Sequence, residues 1–182
     1  CSAFRVANGG LPGRAIVATQ YSNLGLVQAA KAVGCQVIMA NAGDKYVLQE
    51  MRRRGLVLGG EQSGHIIMLE KTTTGDGLIT AIEVASIVTA TGKPLSELAS
   101  VMVKFPQIMV NVRVSRKDEY GASAAIRAAV EEARAELGDA GRLVVRPSGT
   151  EPVVRVMGEG PDQAAVRKVV EGVAGVIRAE LA

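Results

Sequence analysis

Residues 146–152, RPSGTEP, place an arginine, two hydroxyls and a glycine in one short segment between two predicted strands. Gly149 lets the backbone turn so that neighbouring N–H groups converge, and converging amides beside a guanidinium bind a dianionic phosphate. Arg155, on the strand that follows, can add a second guanidinium. The alternative is a plain hairpin loop built from turn-forming residues. The candidate phosphate ligands are Arg146, Ser148, Gly149, Thr150 and Arg155.

Residues 59–65, GGEQSGH, are a second segment in which polar side chains are spaced for binding. Glu61 and Ser63 place a hydrogen-bond acceptor beside a hydroxyl on one tight loop, an arrangement that suits the vicinal hydroxyls of a sugar. His65, the single histidine of the chain, follows directly. The alternatives are a solvated turn charge at Glu61 and an ordinary strand-edge residue at His65, and the pattern does not decide between them.

Two further segments contain polar residues at the predicted starts of helices. In residues 43–46, GDKY, Asp44 is expected to cap a helix, but Lys45 lies in its first turn, where a cation opposes the helix dipole. Lys45 is therefore a candidate ligand for an anionic or polar group. Residues 72–77, TTTGDG, are typical of helix capping, so a structural role is favoured there.

The first half of the sequence must position three of these segments, and it alternates strands with helices. A buried strand is predicted at 15–19 and further strands at 36–40, 56–60 and 65–70. Helices are predicted at 24–33, from Asp44 to Gly55, at 78–90 and after Pro94. Such alternation indicates a layered α/β domain with helices on the faces of a sheet. The helix at 78–90 is apolar nearly all round and is expected to be deeply buried.

The pattern changes at 104–108, where we expect a domain boundary between residues 1–105 and residues 108–182. A strand at 108–114, an amphipathic helix over 122–137, strands at 142–147 and 153–158, and a helix capped by Asp162 follow in that order. The order β-α-β-β-α describes a small two-layer α+β domain. Gly172 and Gly175 weaken the last helix, so we expect them to permit close packing.

Composition and charge exclude several classes of protein. The net charge of +3 is spread along the chain and aromatic residues amount to 3%, which disfavours nucleic-acid binding. No 18-residue uncharged apolar stretch is present to span a membrane. The two cysteines form no metal or redox motif, which suits the reducing cytoplasm. The chain begins with Cys1 rather than Met, and we expect it to be a fragment.

Four motifs in order and at matching spacing resemble the α-D-phosphohexomutase superfamily, and the similarity is greatest to its bacterial phosphoglucosamine mutase branch. The resemblance covers almost the whole chain, and Gln62 favours the glucosamine branch. The motifs are GGEQSGH at 59–65, TTGDG at 73–77, GKPLSELAS at 92–100 and RPSGTEP at 146–152.

The resemblance implies an enzyme of four domains, of which this chain contains most of the third and the whole fourth. Members of the family carry a catalytic phosphoserine in the first domain and a magnesium-binding D-G-D-x-D-R loop at the start of the third. Neither motif occurs here, and Asp76 stands alone as G-D-G. No catalytic residue or metal ligand is therefore expected in this chain, which is predicted to be inactive without the missing N-terminal domains.

The resemblance also implies a function. The full enzyme would interconvert glucosamine 6-phosphate and glucosamine 1-phosphate with magnesium, through the phosphoserine and a bisphosphorylated sugar, with hexosamine 1,6-bisphosphate as activator. Glu61 and Ser63 would then bind the phosphosugar's hydroxyl groups, with His65 beside them and Lys45 as a further sugar-binding residue. The 146–152 loop would bind its phosphate. The alternatives are a phosphomannomutase or phosphoglucomutase, or a non-catalytic module that binds phosphosugars.

Overall fold

The computed structural model describes all 182 residues, which divide into two compact units, Cys1–Lys104 and Phe105–Ala182. The first unit contains five α-helices and four strands. In chain order they are α1 (Ser2–Ala7), β1 (Ala15–Thr19), α2 (Leu24–Ala32), β2 (Gln36–Ala40), α3 (Asp44–Arg54), β3 (Leu58–Gly60), β4 (Ile66–Met68), α4 (Gly77–Thr91) and α5 (Leu95–Ala99).

The sheet of the first unit has the strand order β2-β1-β3-β4, with β1 parallel to β2 and β3, and β4 antiparallel to β3. Successive side chains of β1 point to opposite faces. Ile16 packs with residues of α1, α2 and α4, whereas Val17 packs with Val47 and Met51 of α3. Helices therefore cover both faces of the sheet, which confirms the predicted layered α/β architecture.

The burial predicted for α4 is wrong. Ile87 is the one buried residue of this helix, and Leu78 and Ile82 expose 72% and 57% of their surface. Ile79 packs against the cluster on the sheet, so one side of α4 faces the core. A helix that is apolar all round can be buried on every side, but the first unit supplies a single packing surface for it.

The second unit contains a three-stranded antiparallel sheet and two long helices. Its elements are β5 (Gln107–Arg113), a 3₁₀ helix (Lys117–Glu119), α6 (Ala124–Leu137), β6 (Arg142–Pro147), β7 (Val153–Glu159) and α7 (Gln163–Leu181). The strand order is β5-β7-β6. Val154 and Val156 of the central strand join one core with α6 and α7, so the helices cover one face of the sheet. This is the predicted two-layer α+β arrangement.

The last helix, α7, has the predicted cap but not the predicted close packing at its glycines. Asp162 caps α7 by accepting from Ala164 N–H at 2.8 Å, as the sequence predicts. Close packing at Gly172 and Gly175 is not found, because a Cβ atom at either position would meet no atom within 4 Å. None of the α-helices combines the length and the hydrophobicity that a membrane span requires.

Candidate functional site

The candidate phosphate loop, residues 148–152, connects β6 to β7 and is closed by its own backbone. The N–H of Ser148 donates to the carbonyl of Val153 at 2.8 Å, and the N–H of Glu151 donates to Ser148 Oγ at 3.3 Å. Ser148 is 4% exposed. Its N–H, which the sequence analysis counted among the anion-binding amides, is therefore used within the loop, and that detail of the prediction is wrong.

The tip of the loop presents the amides that remain. Gly149 and Thr150 are exposed, and their N–H groups donate to no other group of the chain. Two adjacent unpaired amides on an exposed turn can converge on one anion. The loop thus retains two of the three amides predicted from the sequence.

Two guanidinium groups lie at the base of the loop. Arg146 of β6 is paired directly with Arg155 of β7, and both are half-buried. Since Val154 and Val156 face the helices, the alternation of β7 places both arginines on the opposite face of the sheet. Arg155 Nη2 donates to Glu151 Oε2 at 2.5 Å, so the charge of Arg155 is partly neutralised within the loop.

Lys117 is a contact of the loop that the sequence does not reveal. Its Nζ donates to the carbonyls of Ser148 at 3.0 Å and Glu151 at 3.2 Å. Lys117 belongs to the 3₁₀ helix after β5 and lies 31 residues before Ser148 in the sequence. No local pattern connects the two segments, and only the folded unit brings them together.

The candidate sugar loop at 59–65 forms a tight turn between β3 and β4. The N–H of Glu61 donates to the carbonyl of His65 at 2.9 Å, and the N–H of Gly64 donates to the carbonyl of Glu61 at 3.1 Å. Gly64 has a φ of 100°, which favours glycine. Ser63 Oγ and His65 Nδ1 lie 3.0 Å apart and both side chains are exposed, so the hydroxyl and the imidazole form one hydrogen-bonding group.

Glu61 connects this loop to the start of α3. Its Oε1 accepts the N–H of Gly43 at 2.8 Å, and Gly43 occupies the N-cap position of α3. The prediction that Asp44 caps this helix is wrong, since Asp44 Oδ1 accepts the N–H of its neighbour Lys45 instead. Lys45 is exposed, and its Nζ lies 4.8 Å from the centre of the Tyr46 ring. The sugar loop and the Gly43–Lys45 turn are therefore adjacent.

The threonine-rich segment also lies against the sugar loop. A Cβ atom at Gly75 would be 3.0 Å from the Cβ of His65, so no larger residue fits there without displacing the imidazole. Asp76 Oδ1 accepts the N–H of Ile79 at 2.9 Å and caps α4, the predicted structural role. No group of three or more His, Cys, Asp or Glu side chains is arranged to hold a metal. The residues present do not fit a magnesium site.

Two family models match the chain. The model described as phosphoglucomutase/phosphomannomutase, alpha/beta/alpha domain III, matches residues 1–105. The model of the phosphoglucomutase/phosphomannomutase C-terminal domain matches residues 109–176. These two segments contain the candidate sugar loop and the candidate phosphate loop, respectively.

Curated proteins similar to this chain include bacterial phosphoglucosamine mutases. The phosphoglucosamine mutase of Moorella thermoacetica is 54% identical over 169 residues, which are 93% of this chain and 38% of that protein. The phosphoglucosamine mutase of Geobacillus thermodenitrificans is 46% identical over 181 residues, 100% of this chain and 40% of that protein. The chain therefore spans less than half the length of these relatives.

Solved structures share the fold at low sequence identity. The N-acetylphosphoglucosamine mutase of Aspergillus fumigatus matches with a TM-score of 0.81 at 20% identity, over 98% of this chain and 42% of that one. A structure of that enzyme with GlcNAc-6P and magnesium matches with a TM-score of 0.73 at 18% identity, over 99% of this chain and 41% of that one. At these identities the similarity shows the fold alone.

Proposed function

This chain belongs to the phosphoglucomutase/phosphomannomutase family, and on that premise we propose that it binds the substrate of a phosphoglucosamine mutase. The complete enzyme would interconvert glucosamine 6-phosphate and glucosamine 1-phosphate. The observation that carries this proposal is the 148–152 loop, where two free amides project beside paired arginines. The residues of this chain would hold and orient the phosphosugar.

The phosphate anchor combines neutral and charged donors. Backbone N–H groups of Gly149 and Thr150 would each donate to a phosphate oxygen, and Arg146 would supply the main charge. A guanidinium donates to two oxygens of a phosphate at once, which fixes orientation as well as affinity. Arg155 would add a second guanidinium, one of whose donors is held by Glu151 Oε2 at 2.5 Å.

The sugar loop would recognise hydroxyl groups. One oxygen of Glu61 is fixed by the N–H of Gly43, and the carboxylate remains able to accept from a sugar hydroxyl with its second oxygen. The Ser63–His65 pair can donate and accept on the same loop. Lys45 lies on the adjacent turn and would meet an electronegative atom of the substrate.

The chemical step lies outside the residues of this chain in the proposal. By its family the enzyme would transfer a phosphoryl group from a phosphoserine through a bisphosphorylated sugar, with hexosamine 1,6-bisphosphate as activator. Magnesium would stabilise the transferred charge, and the residues present here do not hold it. In both half-reactions the anchor would bind the phosphate that is not being transferred, so it must accept the sugar in two orientations.

The proposal predicts a specific loss of affinity in Arg146→Ala. Charge-assisted hydrogen bonds contribute roughly 1.5–3 kcal/mol, so the variant should bind glucosamine 6-phosphate about ten- to a hundredfold more weakly. Arg146→Lys should recover part of this, because an ammonium lacks the bidentate fork. Thr150→Val should bind nearly as the parent, because its backbone N–H is retained. Calorimetric titration of the chain and of the intact mutase would measure the series.

Arg134→Ala is the matched control, since Arg134 is an exposed arginine of α6 that pairs with Glu131 and lies outside the loop. It removes the same charge and should leave affinity within about twofold, which is the size of a ~0.5 kcal/mol surface effect. Equal binding by Arg146→Ala and the parent would overturn the anchor and leave residues 146–152 as a hairpin loop.

A further inference from the structure

Lys117 contacts the peptide group that joins Ser148 to Gly149 in the phosphate loop. Its Nζ donates to the carbonyl of Ser148 at 3.0 Å. The peptide bond between Ser148 and Gly149 is trans, as are all peptide bonds of the chain. In a trans peptide the C=O and N–H point in opposite directions. A Ser148 carbonyl that faces the Lys117 ammonium therefore leaves the Gly149 N–H pointing away from Lys117.

The second contact of Lys117 closes the other end of the loop tip. Nζ also donates to the carbonyl of Glu151 at 3.2 Å. One ammonium thus holds the two carbonyls that bracket Gly149 and Thr150, the residues whose N–H groups are free. A lysine ammonium has three N–H donors and no acceptor, so it can donate to both carbonyls at once.

The position of Lys117 is itself fixed by the end of α7. The N–H of Ser115 donates to the carbonyl of Leu181 at 2.9 Å, and Arg116 Nη2 donates to the carbonyl of Glu180 at 2.6 Å. The N–H of Val114 donates to the carbonyl of Pro152 at 3.0 Å. The segment before Lys117 is therefore anchored both to the helix and to the loop.

We propose that Lys117 is a positioning residue for phosphate binding, which orders residues 148–151 so that the Gly149 and Thr150 amides face the ligand before it arrives. The inference rests on the proposed function of the loop, and it adds a residue that acts on the loop backbone and not on the ligand. A preorganised loop binds more tightly because the ordering entropy is lost on folding and not on binding. The positive charge of Lys117 also favours an anion at the loop tip.

Lys117→Met tests this role, because methionine retains much of the side-chain length and removes all three donors. If the loop then occupies its binding conformation about one tenth of the time, the apparent affinity for phosphate falls about tenfold. Backbone ¹⁵N relaxation of Gly149 and Thr150, measured without ligand, should show greater mobility than in the parent chain. Titration with inorganic phosphate, followed by the same two amide signals, should show the weaker binding.

Two further variants separate positioning from charge. Lys168→Met removes one lysine charge near the other end of α7, where Lys168 pairs with Glu136, and should change neither mobility nor affinity. Lys117→Arg keeps the charge and can donate to both carbonyls, so it should restore most of the loop order and affinity.

The outcomes distinguish this inference from the proposed function. The positioning role is overturned if Lys117→Met leaves the amide mobility unchanged, or if mobility rises while phosphate affinity stays the same. In either case, phosphate binding by the parent chain would still support the proposed function of the loop. Equal losses in Lys117→Met and Lys168→Met would assign the effect to charge alone and also overturn it. If phosphate perturbs neither amide in the parent chain, the proposed anchor fails, and the role of Lys117 in phosphate binding fails with it.

Discussion

At the scale of single residues, Glu83 is the carboxylate on which two cations of the first unit converge. Lys71 Nζ donates to one oxygen at 2.6 Å and Arg5 Nη2 to the other at 3.0 Å. Arg5 also pairs with Glu70 at 2.7 Å, so the network ties α1 to α4 and to the residues after β4. The hydrogen bond from Lys71, aided by that from Arg5, lowers the pKa of Glu83 although its burial acts to raise it.

Glu83→Gln is expected to lower the free energy of unfolding at pH 7 by about 1–3 kcal/mol, because two cations lose a charged acceptor. The folded pKa lies below the ordinary value of 4.5, so the stabilisation is present above that pH and is lost as pH falls through the folded value. The difference between parent and variant should therefore shrink in acid. Urea denaturation at neutral and acidic pH would measure it.

Glu97→Gln is the control for the same chemical change, since Glu97 and Lys93 form an ion pair in which both side chains are about half exposed. Exposed pairs contribute at most about 1 kcal/mol, and this variant should change stability by less than Glu83→Gln. A parent–variant difference for Glu83 that stays constant from neutral to acidic pH would contradict the assignment of the stabilisation to the ionised carboxylate.

Residue types and spacing indicate both candidate loops. They do not reveal which hydrogen-bonding groups of each loop are already paired within the protein. The Ser148 N–H is used by Val153, and the Glu61 carboxylate is partly used by Gly43. Both hydrogen-bond partners depend on how neighbouring strands and helices pack together. Local sequence patterns do not indicate that packing. For the same reason Lys117 could not be assigned to the loop from sequence.

At the scale of elements, α7 contains two glycines that the structure does not require. Gly172 and Gly175 lie inside a helix, and a Cβ atom at either position would meet nothing within 4 Å. Gly→Ala at each site should raise the free energy of unfolding by roughly 0.5–1 kcal/mol, because alanine restricts the unfolded chain and favours the helix. Denaturant titration of the two single variants and the double variant would measure this.

Gly158→Ala is the opposing control, because its Cβ would lie 2.6 Å from Val170 Cγ2 at the contact between β7 and α7. This variant should destabilise the unit by about 1–3 kcal/mol through overpacking. A loss of stability in Gly172→Ala would contradict the conclusion that Gly172 lies at an open helical position.

Helices and strands could be predicted where their boundaries are marked by local sequence patterns. The boundaries of β1 and β2, the Asp162 cap and the end of α3 at Gly55 follow from periodicity and capping rules. The predicted start of α3 at Asp44 is correct, but its N-cap was misassigned, because Gly43 holds that position and donates its N–H to Glu61 of another loop. The exposure of α4 was not predicted, because apolar residues on every side of a helix do not indicate which other surfaces cover it.

At the scale of the whole molecule, the chain contains two compact units and no set of side chains arranged to hold a metal. We expect the purified 182-residue chain to show no mutase turnover with any hexose phosphate, with or without magnesium. Phosphoryl transfer depends on positioned donors and on electrostatic stabilisation of the transferring group. In the proposed enzyme, both the phosphoserine and the metal lie outside these residues.

That expectation is tested most directly at Ser63, whose hydroxyl oxygen lies 3.0 Å from His65 Nδ1. A hydroxyl beside an imidazole is the arrangement from which an activated nucleophile is made, so Ser63 is the competing candidate within the chain. A coupled assay of the parent chain and Ser63→Ala should give the same background rate, while Ser63→Ala in the intact mutase should weaken substrate binding. Turnover that persists through repurification and disappears in Ser63→Ala would overturn the proposal, because it would place the nucleophile on the 59–65 loop.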